Sequence, residues 1–430
     1  MGTEQSVFQE IGVVEGFYGR VWQPAERQAF IASLLPFGLN TYLYCPKHEP
    51  ALAAEVLRPL NGEEAGHLGE LATFCAGRGV ALWVGLHLEP PLNVNNAAHL
   101  EAVAAKCHGL WKLGVKGFCI QFDDLSGAFD PAASFAGSLA ALQAHAVVGI
   151  YRQAAALGVL ASWLVVPALY TPDPLLEKTY GPFAPDYLAR LDQSLPAQVA
   201  WMYTGPRVCA PSITLAHLEQ WRGASRREVV LWDNYPVNDA AMVDNLHICP
   251  LTGRAPDLPE RIRGYLFNPL LQPALGALPG ATCLIYANDP TGYEPLRAWH
   301  SALAALLPEQ GREAFGELEA LTRHCCLEGF LPDQTFGPRG PLVRRLEQGW
   351  QALQNGGAMD AGTLQELRRV LDTLNETLPP AMASEARPWL ERLTQAHAVC
   401  AARADSTDWR AAASAYRKGG AYVLGEWFRP

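Results

Sequence analysis

Over the first two thirds of the chain, apolar residues gather into short runs, each followed by a stretch of helical character. The runs are IGVVEGFYG (from Ile11), LNTYLYCPK (from Leu39), ALWVGLHL (from Ala81) and GFCIQFDD (from Gly117). They continue with LASWLVVPALY (from Leu160), AQVAWMYTG (from Ala197), EVVLWDNYP (from Glu228) and GYLFNPL (from Gly264). Near-continuous apolar strands of this kind are those covered on both faces, as in parallel sheets. The first and last runs start 253 residues apart, ~36 residues per strand–helix unit, which suits a (β/α)8 barrel of ~250 residues. A doubly wound open sheet is the competing solution, but no GxGxxG loop follows the first strand. The pattern predicts an α/β fold, a TIM barrel over residues 1–295.

From residue 296 the rhythm changes. GELEALTRHCCLEGF, LVRRLEQGWQALQ, TLQELRRVLDTLNETL and PWLERLTQAHAVCAARA carry apolar residues at helical spacing between Gly, Pro and Asp turns. They predict an all-helical C-terminal domain over 296–430, whose charged helix faces serve as solvated surface or in part as a homodimer surface. The longest uncharged stretch, Gly264 to Asn288, is interrupted by Pro269, Pro273, Gly276, Pro279 and Gly280. It reads as buried strands joined by a loop, not as a membrane-spanning helix.

Composition narrows the function classes. Apolar residues make up 49% and charged ones 18%, enough for a sizeable core. The net charge of −10, with no basic cluster, argues against nucleic acid and against an anionic membrane as partner. Ten cysteines (45, 75, 107, 119, 209, 249, 283, 325, 326, 400) and eleven histidines form no CxxC or HExxH spacing. Neither a zinc site nor a redox pair is suggested, and no metal or cofactor is expected. No basic segment followed by an apolar one opens the chain, and the loose myristoylation pattern at Gly2 lacks a polybasic patch. A reduced, cytoplasmic protein is expected.

In a (β/α)8 barrel, chemistry sits at the C-terminal ends of the strands. Here those ends carry Tyr18, Lys47, Asp123, Asp124, Tyr170, Tyr203, Asp233, Asn234 and Asn268. Lysine is scarce, six in the chain, so Lys47 stands out. The adjacent Asp123 and Asp124 are the most informative pair: held close and partly buried, they repel, and one is driven toward the range of a general acid. A helix N-cap followed by a first-turn acid is the bland alternative, and a magnesium site is another. Neighbours on one strand end cannot easily straddle a glycosidic bond as two-carboxylate glycosidases require. They suit substrate-assisted hydrolysis, in which a 2-acetamido group is the nucleophile: one carboxylate holds its N–H and the other protonates the leaving oxygen.

The motifs GVVEGFYGRVW (12–22), LNTYLYCPK (39–47), FCIQFDDL (118–125), WDNYPVND (232–239) and GYLFNP (264–269), in this order, resemble glycoside hydrolase family 84. That family contains the O-GlcNAcases, retaining β-N-acetylglucosaminidases that work through an oxazoline. The resemblance implies that Asp123 orients the acetamido N–H and that Asp124 is general acid, then base. It places Tyr170 near the acetamido oxygen and Trp232 as the wall of the N-acetyl pocket. Gly16, through its carbonyl, Lys47, Asp239 and Asn268 are implied to hold sugar hydroxyls, and Asn234 the acetamido region. Departures from the family pattern lie at His48-Glu49 after the lysine, at LHLEPPL where a serine-proline-glycine turn is usual, at Ala168 and at Tyr203. The expected substrate is a glycoside or glycoprotein bearing terminal β-linked N-acetylglucosamine. Alternatives are a glycosidase acting on glycosaminoglycan or cell-wall fragments, as hyaluronidase labels in the family suggest, and a catalytically silent N-acetylglucosamine-binding module.

Overall fold

The computed structural model describes residues 7–88, 92–124, 138–322, 341–355 and 357–404. The readings at Gly2, at Cys325 and Cys326, at the Glu89-Pro90-Pro91 turn and at a helix following Asp124 lie outside the described residues. The chain divides into two compact units. One holds Met1–Tyr235, Arg254–Pro269 and Leu284–Tyr293; the other holds Pro236–Gly253, Leu270–Cys283 and Glu294–Pro430.

The first unit is the closed parallel barrel that the spacing of apolar runs predicts. Its strands are β1 (Glu10–Glu15), β2 (Thr41–Tyr44), β3 (Ala81–His87), β4 (Gly117–Gln121), β5 (Ser162–Val166), β6 (Val199–Tyr203), β7 (Val229–Asp233) and β8 (Gly264–Phe267). Each pairs with the next, and β8 returns to β1 with Glu10 opposite Gly264. Helices α1 (Pro24–Leu34), α2 (Gly62–Ala76), α3 (Ala97–Lys112) and α4 (Leu139–Ala156) follow the first four strands in turn. Two short helices, α5 (Pro174–Tyr180) and α6 (Tyr187–Ser194), follow β5, and α7 (Leu215–Arg222) follows β6. Their starts are chemically marked: Asn61 and Glu64 form a reciprocal capping box on α2, while Asn96, Ser138 and Thr214 cap α3, α4 and α7.

Alternation along each strand decides what fills the barrel. Val14, Leu43, Cys45, Trp83, Cys119, Leu164, Val166, Ala200, Met202, Val230, Trp232 and Leu266 form one buried cluster, two residues apart wherever a strand contributes two. Large and small residues are matched across it. A Cβ on Gly117 would lie 2.5 Å from the Trp83 ring, so the absence of a side chain there makes room for the indole. Outward-facing residues pack against the helices: Trp163 meets Tyr151 of α4 at 5.7 Å, and Phe118 of the neighbouring strand at 5.1 Å.

The stretch from Gly264 to Asn288 corrects the expectation of strands joined by a loop. Only Gly264–Phe267 is a strand; α8 (Pro273–Asn288) is a helix with Pro279 inside it. Its residues are buried nearly all round, and such a segment carries no periodicity to separate a helix from a strand. Within the second unit, the Glu385 carboxylate accepts the N–H groups of Ala274 and Leu275 at the start of α8, at 3.2 and 2.9 Å. That unit also contains α9 (Pro295–Leu306), α10 (Glu309–Thr322), α11 (Pro341–Gln354), α12 (Ala361–Thr377) and α13 (Pro380–Ala404). Leu364, Leu367, Val370, Leu371 and Leu374 form the buried face of α12 at helical spacing. Trp389 on α13 donates its indole N–H to the Asp244 carbonyl at 3.1 Å, tying residues 236–253 to the helical unit.

Candidate active site

Continuing the inward alternation past the strand ends leads to Gly16 after β1, Lys47 after β2, Asp123 after β4, Asn234 after β7 and Asn268 after β8. Contacts confirm that these residues gather. The Lys47 ammonium pairs with Asp123 Oδ2, both side chains being more than nine-tenths buried. It also lies 5.8 Å from the ring centroids of both Tyr18 and Trp232. Trp232 Nε1 and Asn268 Nδ2 both donate to Asn234 Oδ1, at 2.9 and 3.0 Å, and Asn234 Nδ2 donates to the Val208 carbonyl at 2.9 Å. The Asn234 amide is thereby fixed in orientation, with its oxygen saturated from inside the barrel.

Gly16 lies against this group. A Cβ there would fall 2.2 Å from the Trp232 ring, so the backbone approaches the indole as no other residue could. The preceding Glu15 points outward and anchors the segment. Its fully buried carboxylate takes two bonds from Arg27, at 2.6 and 2.7 Å, and one from the Tyr42 hydroxyl.

The two aspartates stand in different surroundings. Burial opposes ionisation of Asp123, but the Lys47 ammonium, with a smaller contribution from His87, outweighs it and holds the carboxyl below its usual range. Asp123 Oδ1 is buried and has no hydrogen-bond partner among the described residues. Burial likewise works against the Lys47 charge, and Asp123 and Asp124 together reverse this and raise its pKa. Asp124 follows in a left-handed conformation, φ +55°, unusual for a residue with a side chain. It accepts three phenolic hydroxyls: Tyr18 on Oδ2 at 2.9 Å, and Tyr170 and Tyr180 on Oδ1 at 3.1 and 3.3 Å. Burial first, and then the Asp124 charge, push all three phenols well above their normal pKa, so they remain O–H donors. One neighbour is thus an ionised acceptor with an open lone pair, and the other is ringed by hydroxyl donors.

Two predicted residues stand apart from this cluster. Asp233 and Tyr203 fall on the outward parity. Asp233 is locked to Arg254 at 2.6 and 2.8 Å and to the Tyr265 hydroxyl at 2.7 Å. Tyr203 stacks on Trp221, ring centroids 4.5 Å apart. Asp239 belongs to the second unit, where it is buried and precedes the turn Ala240–Met242. Two residues join the site that the sequence reading did not assign to it. His87 has the inward parity of Trp83, which counting along strand three would have found. Tyr180 comes from α5, ten residues beyond Tyr170, and no strand-end rule points to it. Among the described residues, no three His, Cys, Asp or Glu side chains gather as a metal-holding group.

The sequence matches the family described as beta-N-acetylglucosaminidase (NAGidase) over residues 11–320. The chain belongs to this family, glycoside hydrolase family 84. Members similar to it include the Protein O-GlcNAcase of Rattus norvegicus, 28% identical over 264 residues, and that of Mus musculus, 28% identical over 267. Each alignment covers 60% of this chain and 28% of the relative, so the chain matches under a third of the length of these curated relatives. The solved structure of a mutant Thermobaculum terrenum O-GlcNAc hydrolase superposes with TM-score 0.82 at 25% identity, covering 98% of this chain and 93% of that one. The structure of CpGH84B gives TM-score 0.76 at 19% identity, over 98% of this chain and 76% of the other, a likeness of fold alone. The expected fold, a (β/α)8 barrel followed by helices, is the one found, and it matches the O-GlcNAc hydrolase structure. Membership makes the chain one of a family of glycoside hydrolases.

Proposed function

We propose that the chain is a retaining exo-β-N-acetylglucosaminidase that removes terminal β-linked N-acetylglucosamine by substrate-assisted catalysis. The observation that carries this reading is the buried, ionised Asp123, whose Oδ1 has no donor among the described residues, beside an Asp124 furnished with phenolic donors. An acetamido N–H satisfies the open lone pair, and its hydrogen bond to a carboxylate strengthens the amide oxygen as nucleophile. Asp124, protonated, gives its proton to the glycosidic oxygen as the bond to C1 breaks and the acetamido oxygen closes on C1 to form an oxazoline. Water then attacks C1, Asp124 takes its proton, and the ring opens with retained configuration.

Tyr170 steadies Asp124 and faces the acetamido oxygen; Trp232 walls the N-acetyl pocket; Asn234 and Asn268 form one amide pair for the sugar. Lys47 and the Gly16 carbonyl bind hydroxyls, and the family resemblance assigns a further hydroxyl to Asp239. Because each buried polar group expects a partner, a sugar lacking the matching group is disfavoured. The names of the relatives support a glycoprotein as the substrate, and the compartment proposed is the cytoplasm. Among the described residues no helix is long and apolar enough to cross a membrane.

Release of 4-methylumbelliferone from its β-N-acetylglucosaminide tests the reading. Asp123→Asn is expected to lower kcat/KM by ~100-fold or more. Asp124→Ala is expected to lose most on poor leaving groups and to retain more on good ones, which need little proton donation. Wild-type protein that binds N-acetylglucosamine and turns over no glycoside overturns it in favour of a silent binder.

A further inference from the structure

Helix α5 is laid down by contacts that have nothing to do with its own length of seven residues. Asp173 caps it through Leu175 N–H at 3.0 Å, and the same carboxylate accepts Val208 N–H at 3.0 Å. Thr171 ties the segment to the Gly205 carbonyl at 2.8 Å. Leu176 sinks into the cluster that fills the barrel, and Tyr180, one turn further on, projects from the same face. Gly181, at φ +86°, ends the helix immediately behind it. Val208 is also the residue whose carbonyl fixes Asn234, so the support of α5 and the support of the sugar-binding amides share one residue.

The three phenols on Asp124 are not equivalent. Tyr170 is 5% exposed and Tyr18 is half-buried, whereas Tyr180 is 38% exposed and makes the longest contact, 3.3 Å. Three hydroxyl donors complement a carboxylate; a neutral carboxylic acid accepts hydrogen bonds less well. When Asp124 carries the proton it will donate, the longest and most exposed of the three contacts is the first to give way. The leaving oxygen has to reach Asp124 from the solvent side, and of the three phenols Tyr180 is the one most exposed to solvent.

We propose that Tyr180 is a positioning residue on the leaving-group side: its hydroxyl holds Asp124 in the empty site, and its ring swings aside to pack against the aglycone once a glycoside is bound. This rests on the hydrolase reading above and extends it to what lies beyond the terminal sugar. An aromatic platform with no charge of its own favours flat or apolar surface next to the glycosidic bond, with no demand on the charge of the aglycone. The groups bearing on Asp124 are Tyr18 after β1, Lys47 after β2, its neighbour Asp123, Tyr170 after β5 and Tyr180 on α5.

The test compares wild type, Tyr180→Phe and Tyr180→Ala on 4-methylumbelliferyl β-N-acetylglucosaminide and on a short glycopeptide, each across pH, together with binding of free N-acetylglucosamine. Tyr180→Phe keeps the ring and removes one donor to Asp124, so the alkaline limb of kcat/KM moves to higher pH with KM little changed. Tyr180→Ala removes the platform as well: KM for both glycosides rises ~5-fold, while free N-acetylglucosamine, which has no aglycone, binds within about twofold of wild type. An active wild type whose two variants match it in alkaline limb and in KM overturns the role of Tyr180 alone. A wild type inactive on both glycosides overturns the hydrolase reading, and the proposal falls with it.

Discussion

The Lys47 ammonium closes on Asp123 Oδ2 while Oδ1 of the same carboxylate has no donor among the described residues, so one cation fixes both the charge and the facing of the proposed acetamido acceptor. Lys47 offsets much of the burial penalty that would otherwise neutralise Asp123. Replacing it by methionine makes the ionised form less favourable, so Asp123 takes up its proton at higher pH. The acid limb of kcat/KM is expected to move to higher pH in Lys47→Met, with the neutral-pH value down ~10-fold or more. A pH–rate profile with an unmoved acid limb would show that another group sets it.

If the acetamido oxygen is the nucleophile, its basicity governs the rate. Successive replacement of the acetyl hydrogens by fluorine should lower kcat/KM by several-fold to about tenfold per fluorine, with the aglycone unchanged. A flat series would point to an enzyme nucleophile in its place.

Arg254 and Asp233 form a separate, structural pair, with side chains 4% and 2% exposed. Arg254→Met strands a buried carboxylate and should cost about 3–5 kcal/mol, read as a lower denaturant midpoint. Adding Asp233→Asn should recover part of the loss by removing the orphaned charge. A single variant as stable as wild type would contradict the burial of this pair.

His247, fully buried in the second unit, lies with Nδ1 2.9 Å from the Val237 carbonyl. Burial drives its pKa down to about 4, against the opposing pull of the Val237 and Pro236 carbonyls. The unfolded chain binds this proton near 6.5, so between these values the unfolded state holds more protons, and stability falls as pH drops from 6.5 toward 4. The loss is on the order of 2–3 kcal/mol. His247→Asn, which retains an N–H for Val237, should flatten stability across this window; an unchanged slope would place the acid sensitivity elsewhere.

The barrel is legible in the sequence because eight apolar runs at steady spacing leave few other arrangements, and the mouth is legible because alternation carries past the strand ends. Lys47, Asp123, Asn234 and Asn268 follow from that rule. Asp233 and Tyr203 show its other half: each sits at the end of a strand but one position out of phase, so its side chain meets helices or an arginine. Tyr180 is hidden from such reasoning because its place depends on how α5 is anchored by Asp173 and Leu176, contacts that no local pattern encodes. The stretch after Phe267 misled for a different reason: a segment buried nearly all round gives the same apolar run as a strand.

The pairing of β1 with β8 has a consequence for folding. Gly16 and Asn268 both lie against Trp232 or its Asn234 partner, yet 252 residues of chain separate them. The proposed sugar pocket is complete only when the most distant strands have met and the loop-closure entropy between them has been overcome. A ligand for the pocket binds only chains that have closed the ring, so it selects for circularised barrels and slows their reopening. A nascent chain stalled before residue 264 exposes β1 and β7 as bare edges and has no pocket with which to rescue itself.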